Sequence, residues 1–194
     1  MKLEGAERLL LRSRAWRMTR AALPLIFEFD DLPRRADVLE LGAGGGFNAE
    51  LLLRRFSDWR LLVTDVDPAM VDLAQQRLAK WTPRVCVDQV DAAELPYPRD
   101  TFHVVVSILV WHHVGDWRRA TREAARVLRP GGQLLFADVF RNRRFDGDRS
   151  SLRYTQRGLL ELAARCGLRP RRLRCLNALA CALQAEKDEV VRRG

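Results

Sequence analysis

Short apolar runs alternate along the chain with longer segments whose apolar residues recur at helical spacing. The apolar runs are ADVLEL, RLLVTD, RVCVD, FHVVVSIL and GQLLFADVF. Helical patterns follow the first, second and fourth of these runs, as FNAELLLRRF, PAMVDLAQQRLAK and DWRRATREAARVL. Strand–helix alternation predicts parallel βαβ units, and almost wholly apolar strands are typical of a sheet covered by helices on both faces. The pattern therefore predicts an α/β fold with a doubly wound sheet.

The two ends of the chain add further elements to this core. Residues 1–35 have the pattern of a helix and a proline-containing connection, and residues 150–166 predict a last helix that ends at Gly167. The segments LRPRRLRCL and ALACALQ supply two closing strands, which brings the sheet to seven. Because 194 residues is below the length at which single cores usually divide, we expect one domain. It consists of a helical cap over 1–35, a core over 36–140, and the last helix and closing strands over 141–194.

Composition narrows the class of protein. Lysine and arginine number 34 against 25 aspartates and glutamates, which gives a net charge of +9, and nearly all of the cations are arginines. The four cysteines have no CxxC spacing, so neither a disulfide framework nor a zinc site is expected. The longest apolar run is far shorter than the ~20 residues that span a bilayer, and the first residues lack the apolar stretch of a secretory signal. We therefore expect a cytoplasmic protein without a transmembrane segment.

Four glycines lie within five residues directly after the first predicted strand, in VLELGAGGGFNAELL. Glycine tolerates positive φ and leaves no Cβ in the way of a ligand, and the helix behind the turn begins with unpaired N–H groups. The spacing fails the dinucleotide pattern GxGxxG, because Phe47 and Ala49 stand where the last glycine would be. Glu40, two residues before Gly42, would also repel a pyrophosphate. These features favour S-adenosylmethionine, which has an ammonium, a sulfonium and an adenosine but no phosphate.

The stretch from Glu40 to Gly46 resembles the first motif of the class I S-adenosylmethionine-dependent methyltransferases, acid-x-Gly-x-Gly-x-Gly. The resemblance continues in order over residues 36–140 with Asp65, with DQVDAAELP, and with FHVVVSILVWHHVGDW followed by EAARVLRPGGQLLFAD. The last two segments resemble the small-molecule branch called type 11, which includes quinone and lipid methyltransferases. The family implies a Rossmann-like fold, a mostly parallel seven-stranded sheet with helices on both faces. It also implies S-adenosylmethionine as the cofactor and a small-molecule or lipid-like acceptor.

The resemblance implies a cofactor site at the carboxyl ends of four strands. Asp65 ends the second strand, where the fold places an acid for the ribose hydroxyls, and the pair Asp91 and Ala92 matches the segment that meets the adenine. The full set of expected cofactor-binding residues is Glu40, Gly42, Ala43, Gly44, Asp65, Val66, Asp91, Ala92 and Ser107. Asp67 differs from Asp65 because it precedes Pro68, and a proline suits the first position of a helix. We therefore expect Asp67 to be the N-cap of the second helix.

Three residues directly after the fourth strand, Trp111, His112 and His113, are candidates for the acceptor side of the site. His112 can act as a general base that takes a proton from a hydroxyl, and Trp111 can form a wall of the pocket. The alternative, that the two histidines only shape the loop, stays open. The DPPY or NPPY motif of nucleic-acid amino methyltransferases is absent, since SILV stands in its place. At the start of the same strand His103 replaces the family's usual aspartate, and we assign it no catalytic role.

Two further functions stay open beside a small-molecule methyltransferase. An RNA methyltransferase would use basic segments on either side of the core. A cofactor-binding subunit without catalysis would have the same glycine loop and acids. The basic segments contain Arg8, Arg12, Arg14, Arg17 and Arg20 before the core, and Arg141, Arg143, Arg144, Arg149, Arg153 and Arg157 after it. The sequence does not define the methylated atom or the oligomeric state.

Overall fold

The structure is a computed structural model that describes residues 31–139, 155–177 and 180–189. Within these residues one sheet contains β1 (Ala36–Leu41), β2 (Trp59–Asp65), β3 (Val85–Gln89), β4 (Phe102–Ile108), β5 (Leu128–Val139), β6 (Leu168–Asn177) and β7 (Ala180–Lys187). The α-helices are α1 (Phe47–Arg55), α2 (Pro68–Leu78), α3 (Trp117–Val127) and α4 (Gln156–Arg165). Short 3₁₀ turns at Ala79–Trp81 and Trp111–His113 follow α2 and β4. The elements lie where the hydrophobic pattern predicts them, except that β5 begins earlier than predicted.

The strand order across the sheet is β3-β2-β1-β4-β5-β7-β6. The strands from β3 to β5 are parallel, and β7 lies antiparallel between β5 and β6. The order reverses direction at β1, so the connections run outward to both sides from the centre of the sheet. The predicted doubly wound, mostly parallel seven-stranded sheet is confirmed.

Helices cover both faces of the sheet, and β4 shows this directly. Val104 and Val106 belong to an apolar core that includes residues of α1 and α2, such as Leu52 and Leu78. Val105, between them, belongs to a second core on the opposite face, which includes residues of α3 and α4. Because successive strand residues point to opposite faces, a strand buried on both sides is apolar along its centre, as β4 is from Val104 to Val106.

β5 begins at Leu128, before the predicted start at Gly132, and includes the segment RPGG as a bulge. Phe102 of β4 is opposite Leu128, but Val104 is opposite Gln133, so β5 has additional residues at this point. A Cβ at Gly132 would lie 2.8 Å from the carbonyl oxygen of Arg129, which shows how tightly the bulged backbone turns.

His103 lies at this bulge, at the end of β4 remote from the predicted site. Its Nδ1 accepts a hydrogen bond from the N–H of Asp37 in β1 over 2.9 Å, and its Nε2 lies 2.6 Å from Nη1 of Arg129. Burial and the Arg129 guanidinium lower the pKa of His103, which favours the neutral ring. These contacts connect β1, β4 and β5 and support a structural role for His103.

Some predictions concern residues that the structure does not describe. The helical cap falls on residues 1–30 except for its last part, and all arginines of the first basic segment lie there. Of the second segment, only Arg157 is described, and it forms an exposed ion pair with Glu161 in α4. In the described ranges no helix combines the length and the apolar character that crossing a bilayer requires. The single domain and the cytoplasmic location stay predictions.

Asp67 caps α2 as expected, which gives the first testable prediction. Its Oδ1 accepts a hydrogen bond from the N–H of Ala69 over 2.9 Å, and Pro68 is the first helical residue. We expect Asp67→Ala to lower the free energy of unfolding by ~1 kcal/mol in chemical denaturation. Asp72→Ala is the matched control, because it removes an exposed carboxylate from the same helix without removing a cap. An equal loss in both variants would contradict the capping role.

Candidate functional site

The carboxyl ends of β1, β2 and β4 lie side by side at one edge of the sheet. Leu41, the last residue of β1, is opposite Thr64 of β2 and Ser107 of β4. The segment after β3 joins this edge, because the N–H of Val90 donates to the carbonyl of Asp65 over 3.0 Å. The predicted residues of four strand ends therefore share the edge at which open α/β sheets bind ligands.

Two glycines of the loop between β1 and α1 meet different constraints. Both have positive φ, 65° at Gly42 and 52° at Gly44, a region that favours glycine. A Cβ at Gly42 would lie 2.5 Å from Cγ1 of Val110, in the segment after β4. At Gly44, a Cβ would meet no atom of the described residues within 4 Å. Packing and backbone conformation both require Gly42, whereas Gly44 borders open space that a ligand can enter.

The carboxylate of Asp65 holds the glycine loop in place. Its Oδ2 accepts a hydrogen bond from the N–H of Gly44 over 2.7 Å, and its Oδ1 accepts one from the N–H of Asp67 over 3.0 Å. Burial, opposed by these backbone hydrogen bonds, raises the pKa of Asp65 above its ordinary value. Each carboxylate oxygen has a second acceptor position, so Asp65 can still accept a hydroxyl. We therefore expect Asp65 to serve the loop as well as the ligand, and its replacement to affect stability too.

Buried polar atoms line the same edge. Glu40 is 2% exposed, and its carbonyl oxygen accepts a hydrogen bond from the hydroxyl of Thr64 over 2.9 Å. Ser107 of β4 and Asn48, at the start of α1, are also buried. Among the residues that the structure describes, Oγ of Ser107 and Oδ1 of Asn48 have no hydrogen-bond partner. Since buried polar groups are almost always hydrogen-bonded, these two atoms leave hydrogen-bonding capacity at this edge that water or a polar ligand can fill.

The remaining predicted cofactor residues differ in exposure. Val66, directly after β2, is a large apolar side chain that is 53% exposed. Ala43 and Ala92 are buried, and Asp91 is exposed. Oδ1 of Asp91 accepts the N–H of residue 93 over 2.8 Å, which fixes the turn after β3. This turn follows β3, and Val66 follows the neighbouring strand β2. Val66 therefore provides an apolar surface, and the turn a polar one, for the ring system of a ligand.

An arginine that sequence reasoning missed holds the glycine loop from behind. Nε of Arg77 in α2 donates to the carbonyl oxygen of Gly45 over 2.6 Å, and its guanidinium lies 3.2 Å from the ring centre of Phe47. Arg77 therefore ties the loop to α2 by a hydrogen bond and a cation–π contact. No sequence signal identifies it, because the contact joins residues that are far apart in the chain.

A second arginine, also missed, fixes the segment between β3 and β4. Arg126 of α3 donates from Nη1 to the carbonyl of Tyr97 over 2.7 Å and from Nη2 to that of Leu95 over 2.9 Å. Glu123 pairs with Arg126, and its Oε2 also accepts the N–H of Leu95 over 3.0 Å. The hydrogen bond from Arg126 is the main cause that lowers the pKa of Glu123. The pair keeps this segment against α3.

His112 and Asp138 form a dyad at the carboxyl ends of β4 and β5. Nδ1 of His112 lies 2.5 Å from Oδ1 of Asp138, and the backbone N–H of His112 donates to Oδ2 over 3.2 Å. The side chain of Asp138 is fully buried, whereas that of His112 is 13% exposed. Sequence reasoning singled out His112 but missed Asp138, whose only signal was an acid inside the apolar run LLFADVF. Trp111 is buried in the core below, where it contacts Phe136 edge-on.

The two glycines give the second testable prediction. We expect Gly44→Ala to lower the free energy of unfolding by about 1–2 kcal/mol, because alanine is strained at positive φ. Gly42→Ala should cost about 1–3 kcal/mol more, because its methyl group overlaps Val110. In the Val110→Ala background, this additional loss should shrink for Gly42→Ala and stay unchanged for Gly44→Ala. Equal coupling of both glycines to Val110 in denaturation experiments would show that the overlap is not the cause.

The edge fits S-adenosylmethionine by its chemistry. Glu40 and Asp65 provide carboxylates, which favour a cationic ligand and disfavour a pyrophosphate. The free oxygens of Ser107 and Asn48 and the open space at Gly44 leave room and hydrogen-bonding capacity for a polar group. The residues that are present therefore agree with the cofactor that the sequence predicts.

Known proteins match the part of the chain that contains the glycine loop and His112. Residues 38–132 match the family described as "Methyltransferase domain". The chain is 40% identical over 105 residues to a malonyl-[acyl-carrier protein] O-methyltransferase of Halorhodospira halophila, a match that covers 54% of this chain and 35% of the relative. It is 37% identical over 111 residues to the 27-O-demethylrifamycin SV methyltransferase of Amycolatopsis mediterranei, covering 55% of this chain and 40% of the relative. The matches thus span less than half the length of these two relatives.

The fold is shared with a solved S-adenosylmethionine-dependent methyltransferase from Aquifex aeolicus. The two structures superpose with a TM-score of 0.75 at 19% sequence identity, over 95% of this chain and 99% of the other. This similarity extends beyond the sequence match, which is confined to the part that contains the glycine loop and His112. Fold and sequence thus support a class I S-adenosylmethionine-dependent methyltransferase similar to the type 11 branch, on a family match that covers residues 38–132.

Proposed function

We propose that this protein transfers a methyl group from S-adenosylmethionine to a hydroxyl of a small or lipid-like molecule, with His112 as the general base. The observation that carries the proposal is the 2.5 Å contact between Nδ1 of His112 and the buried carboxylate of Asp138. The two relatives described above have names that place their methyl groups on oxygen, a carboxylate oxygen for the malonyl relative and oxygen 27 of a rifamycin for the other. Their names support oxygen as the acceptor atom, and the dyad supports an acceptor that must lose a proton.

The dyad defines which nitrogen of His112 can take the proton. A carboxylate accepts hydrogen bonds, so Asp138 requires a proton on Nδ1 of the neutral ring. Nε2 is then the unprotonated nitrogen, which can accept a proton from a substrate hydroxyl. When the ring becomes an imidazolium, the negative charge of Asp138 stabilises it. The full burial of the Asp138 side chain strengthens this interaction, because water does not screen it.

A hydroxyl acceptor needs this base more than a carboxylate acceptor does. The pKa of an alcohol is far above neutral pH, so methyl transfer to it requires that a proton leave during the reaction. A carboxylate acceptor is already ionised at neutral pH and would not need His112. The arrangement of His112 and Asp138 therefore favours hydroxyl methylation over carboxyl methylation.

The other site residues would bind the cofactor and orient the acceptor. Bound S-adenosylmethionine supplies a methyl group that its sulfonium has already activated. Glu40, Gly44 and Asp65 would hold its polar groups, and Val66, Asp91 and Ala92 would border its ring system. Positioning of a nucleophile beside the methyl carbon contributes much of the rate, and the loops fixed by Arg77 and Arg126 provide that rigidity.

An RNA substrate is less well supported by the described surface. Three arginines of β6 have acidic neighbours: Arg169 pairs with Asp188, Arg171 with Glu186 and Arg172 with Asp31. Arginines that are paired in this way offer less positive charge to phosphates.

Radiolabelled cofactor identifies the substrate class. The protein is incubated with methyl-labelled S-adenosylmethionine and a bacterial lysate, which is then separated into RNA, protein, lipid and small-molecule fractions. We expect label in the lipid or small-molecule fraction, in a product that alkali does not hydrolyse, because an ether is stable where a methyl ester is not. Label in RNA alone, or in an alkali-labile product, would contradict the proposal. No label in any fraction would favour a non-catalytic subunit.

Variants of the dyad test its role in turnover. We expect His112→Asn and Asp138→Asn to lower kcat by about 100-fold or more, because each removes the oriented base. Affinity for the cofactor in titration calorimetry should change little, and the deficit should shrink at high pH, where the acceptor ionises without help. His113→Asn is the matched control, since His113 is the exposed neighbour whose ring centre lies 4.0 Å from that of His112. Equal losses of kcat in all three variants, or a loss that does not depend on pH, would show that His112 only shapes the loop.

A further inference from the structure

Two cysteines face each other at the antiparallel end of the sheet. Cys175 of β6 is directly opposite Cys181 of β7, and Cys181 is in turn opposite Asp138 of β5. Directly opposed residues of adjacent strands project from the same face of a sheet. The two thiols therefore lie in one row with the carboxylate of the dyad.

The spacing of opposed strand residues suits a disulfide. Opposed residues in antiparallel strands have Cα atoms about 4.5–5.5 Å apart, and disulfides join Cα atoms about 4.4–6.8 Å apart. Both cysteines are free thiols in the structure. The other two cysteines lack such an arrangement, since Cys86 in β3 is opposite Leu62 and Cys166 follows α4.

The two thiols differ in ways that assign them different chemical roles. Cys175 is exposed, and Nε2 of Gln156 donates a hydrogen bond to its sulfur. An exposed thiol is the one that a dissolved oxidant reaches first. Cys181 is buried, and burial, with smaller contributions from Cys175 and Asp138, raises its pKa to about 12. Cys181 is therefore a protonated thiol beside an accessible one.

We propose that Cys175 and Cys181 are an oxidisable dithiol, which a peroxide converts into a disulfide between β6 and β7. In the first step the sulfur of Cys175 attacks hydrogen peroxide. The O–O bond breaks, one water leaves, and Cys175 becomes a sulfenic acid. In the second step the sulfur of Cys181 displaces the hydroxyl from that sulfur, and the thiol proton leaves with it as a second water. Two thiols and one peroxide thus give one disulfide and two waters.

This site does not depend on the proposed acceptor or on the role of His112. The disulfide would lie in the part of the sheet that also positions Asp138, because β7 pairs with β5 along residues 133–139 of β5. The only requirement is that the register of β5, β7 and β6 places the two cysteines opposite each other.

The chain offers a direct measurement, because trypsin releases both cysteines in one peptide, residues 175–187. The full-length protein is reduced, freed of reductant, treated with hydrogen peroxide, alkylated with iodoacetamide and digested. We expect this peptide to be lighter than the reduced form by two hydrogen atoms and to carry no alkyl group. Dithiothreitol added before alkylation should restore two alkyl groups. Cys86 and Cys166 should be alkylated in treated and untreated protein alike.

Variants separate the dithiol from nonspecific oxidation. Cys181→Ser should leave Cys175 as a sulfenic or higher acid without a disulfide, and Cys86→Ser should leave disulfide formation in the 175–187 peptide unchanged. The proposal is overturned if the treated wild-type peptide still accepts two alkyl groups, or if Cys175 forms its disulfide with another molecule on a non-reducing gel. It is also overturned if Cys175 reaches the sulfonic acid equally fast in the wild type and in Cys181→Ser.

Discussion

The carboxylate of Asp65 accepts backbone N–H groups from two directions, one from the glycine loop and one from the turn that begins α2. Gly44 contributes the first and Asp67 the second, so one side chain fixes two loops that follow neighbouring strands. The hydrogen bond to Asp65 thus fixes Gly44, and Arg77 holds the neighbouring Gly45. Because no described atom lies within 4 Å of where a Cβ at Gly44 would be, hydrogen bonds rather than packing hold this part of the loop.

Burial of the Asp65 carboxylate costs electrostatic free energy. Burial raises the pKa of Asp65 above 3.8, and the two backbone hydrogen bonds offset that effect only in part. A carboxyl group with a raised folded-state pKa binds its proton more tightly in the native than in the unfolded protein. Its contribution to stability is thus present below the ordinary pKa and is lost as the pH rises through the folded-state pKa. At neutral pH the buried negative charge of Asp65 is unfavourable, and a cationic or hydrogen-bonding ligand reduces this cost, as expected of a binding site.

Local patterns were sufficient to predict the elements and the cap of α2. Apolar periodicity identifies the strands and helices, and Asp67 with Pro68 identifies the start of α2 from adjacent residues alone. The partner of His112 depends instead on sheet order, because Asp138 reaches His112 only when β5 lies beside β4. The contacts of Arg77 and Cys175 also depend on the tertiary structure, since they follow from how α2 packs and how β6 pairs with β7. A single sequence contains no local signal for such contacts, so the partners of His112, Gly45 and Cys181 could not be predicted from it.

The segment after β4 connects the two sides of the site physically. Leu109 has a positive φ of 59°, which is strained for a side chain of this size, and its N–H donates to the carbonyl of Ala137 in β5 over 2.8 Å. The next residue, Val110, fills the space that a Cβ at Gly42 would occupy.

His112 follows within the same turn and contacts Asp138, so a few consecutive residues touch the glycine loop and β5 at once. The strained backbone at Leu109 is what directs the chain from β4 toward both. Because strain of this kind persists only where surrounding contacts enforce it, the position of His112 relative to the cofactor loop is set by the packing of Val110 against Gly42 as much as by the dyad. The glycine loop and the pair of His112 and Asp138 are therefore coupled through Leu109 and Val110.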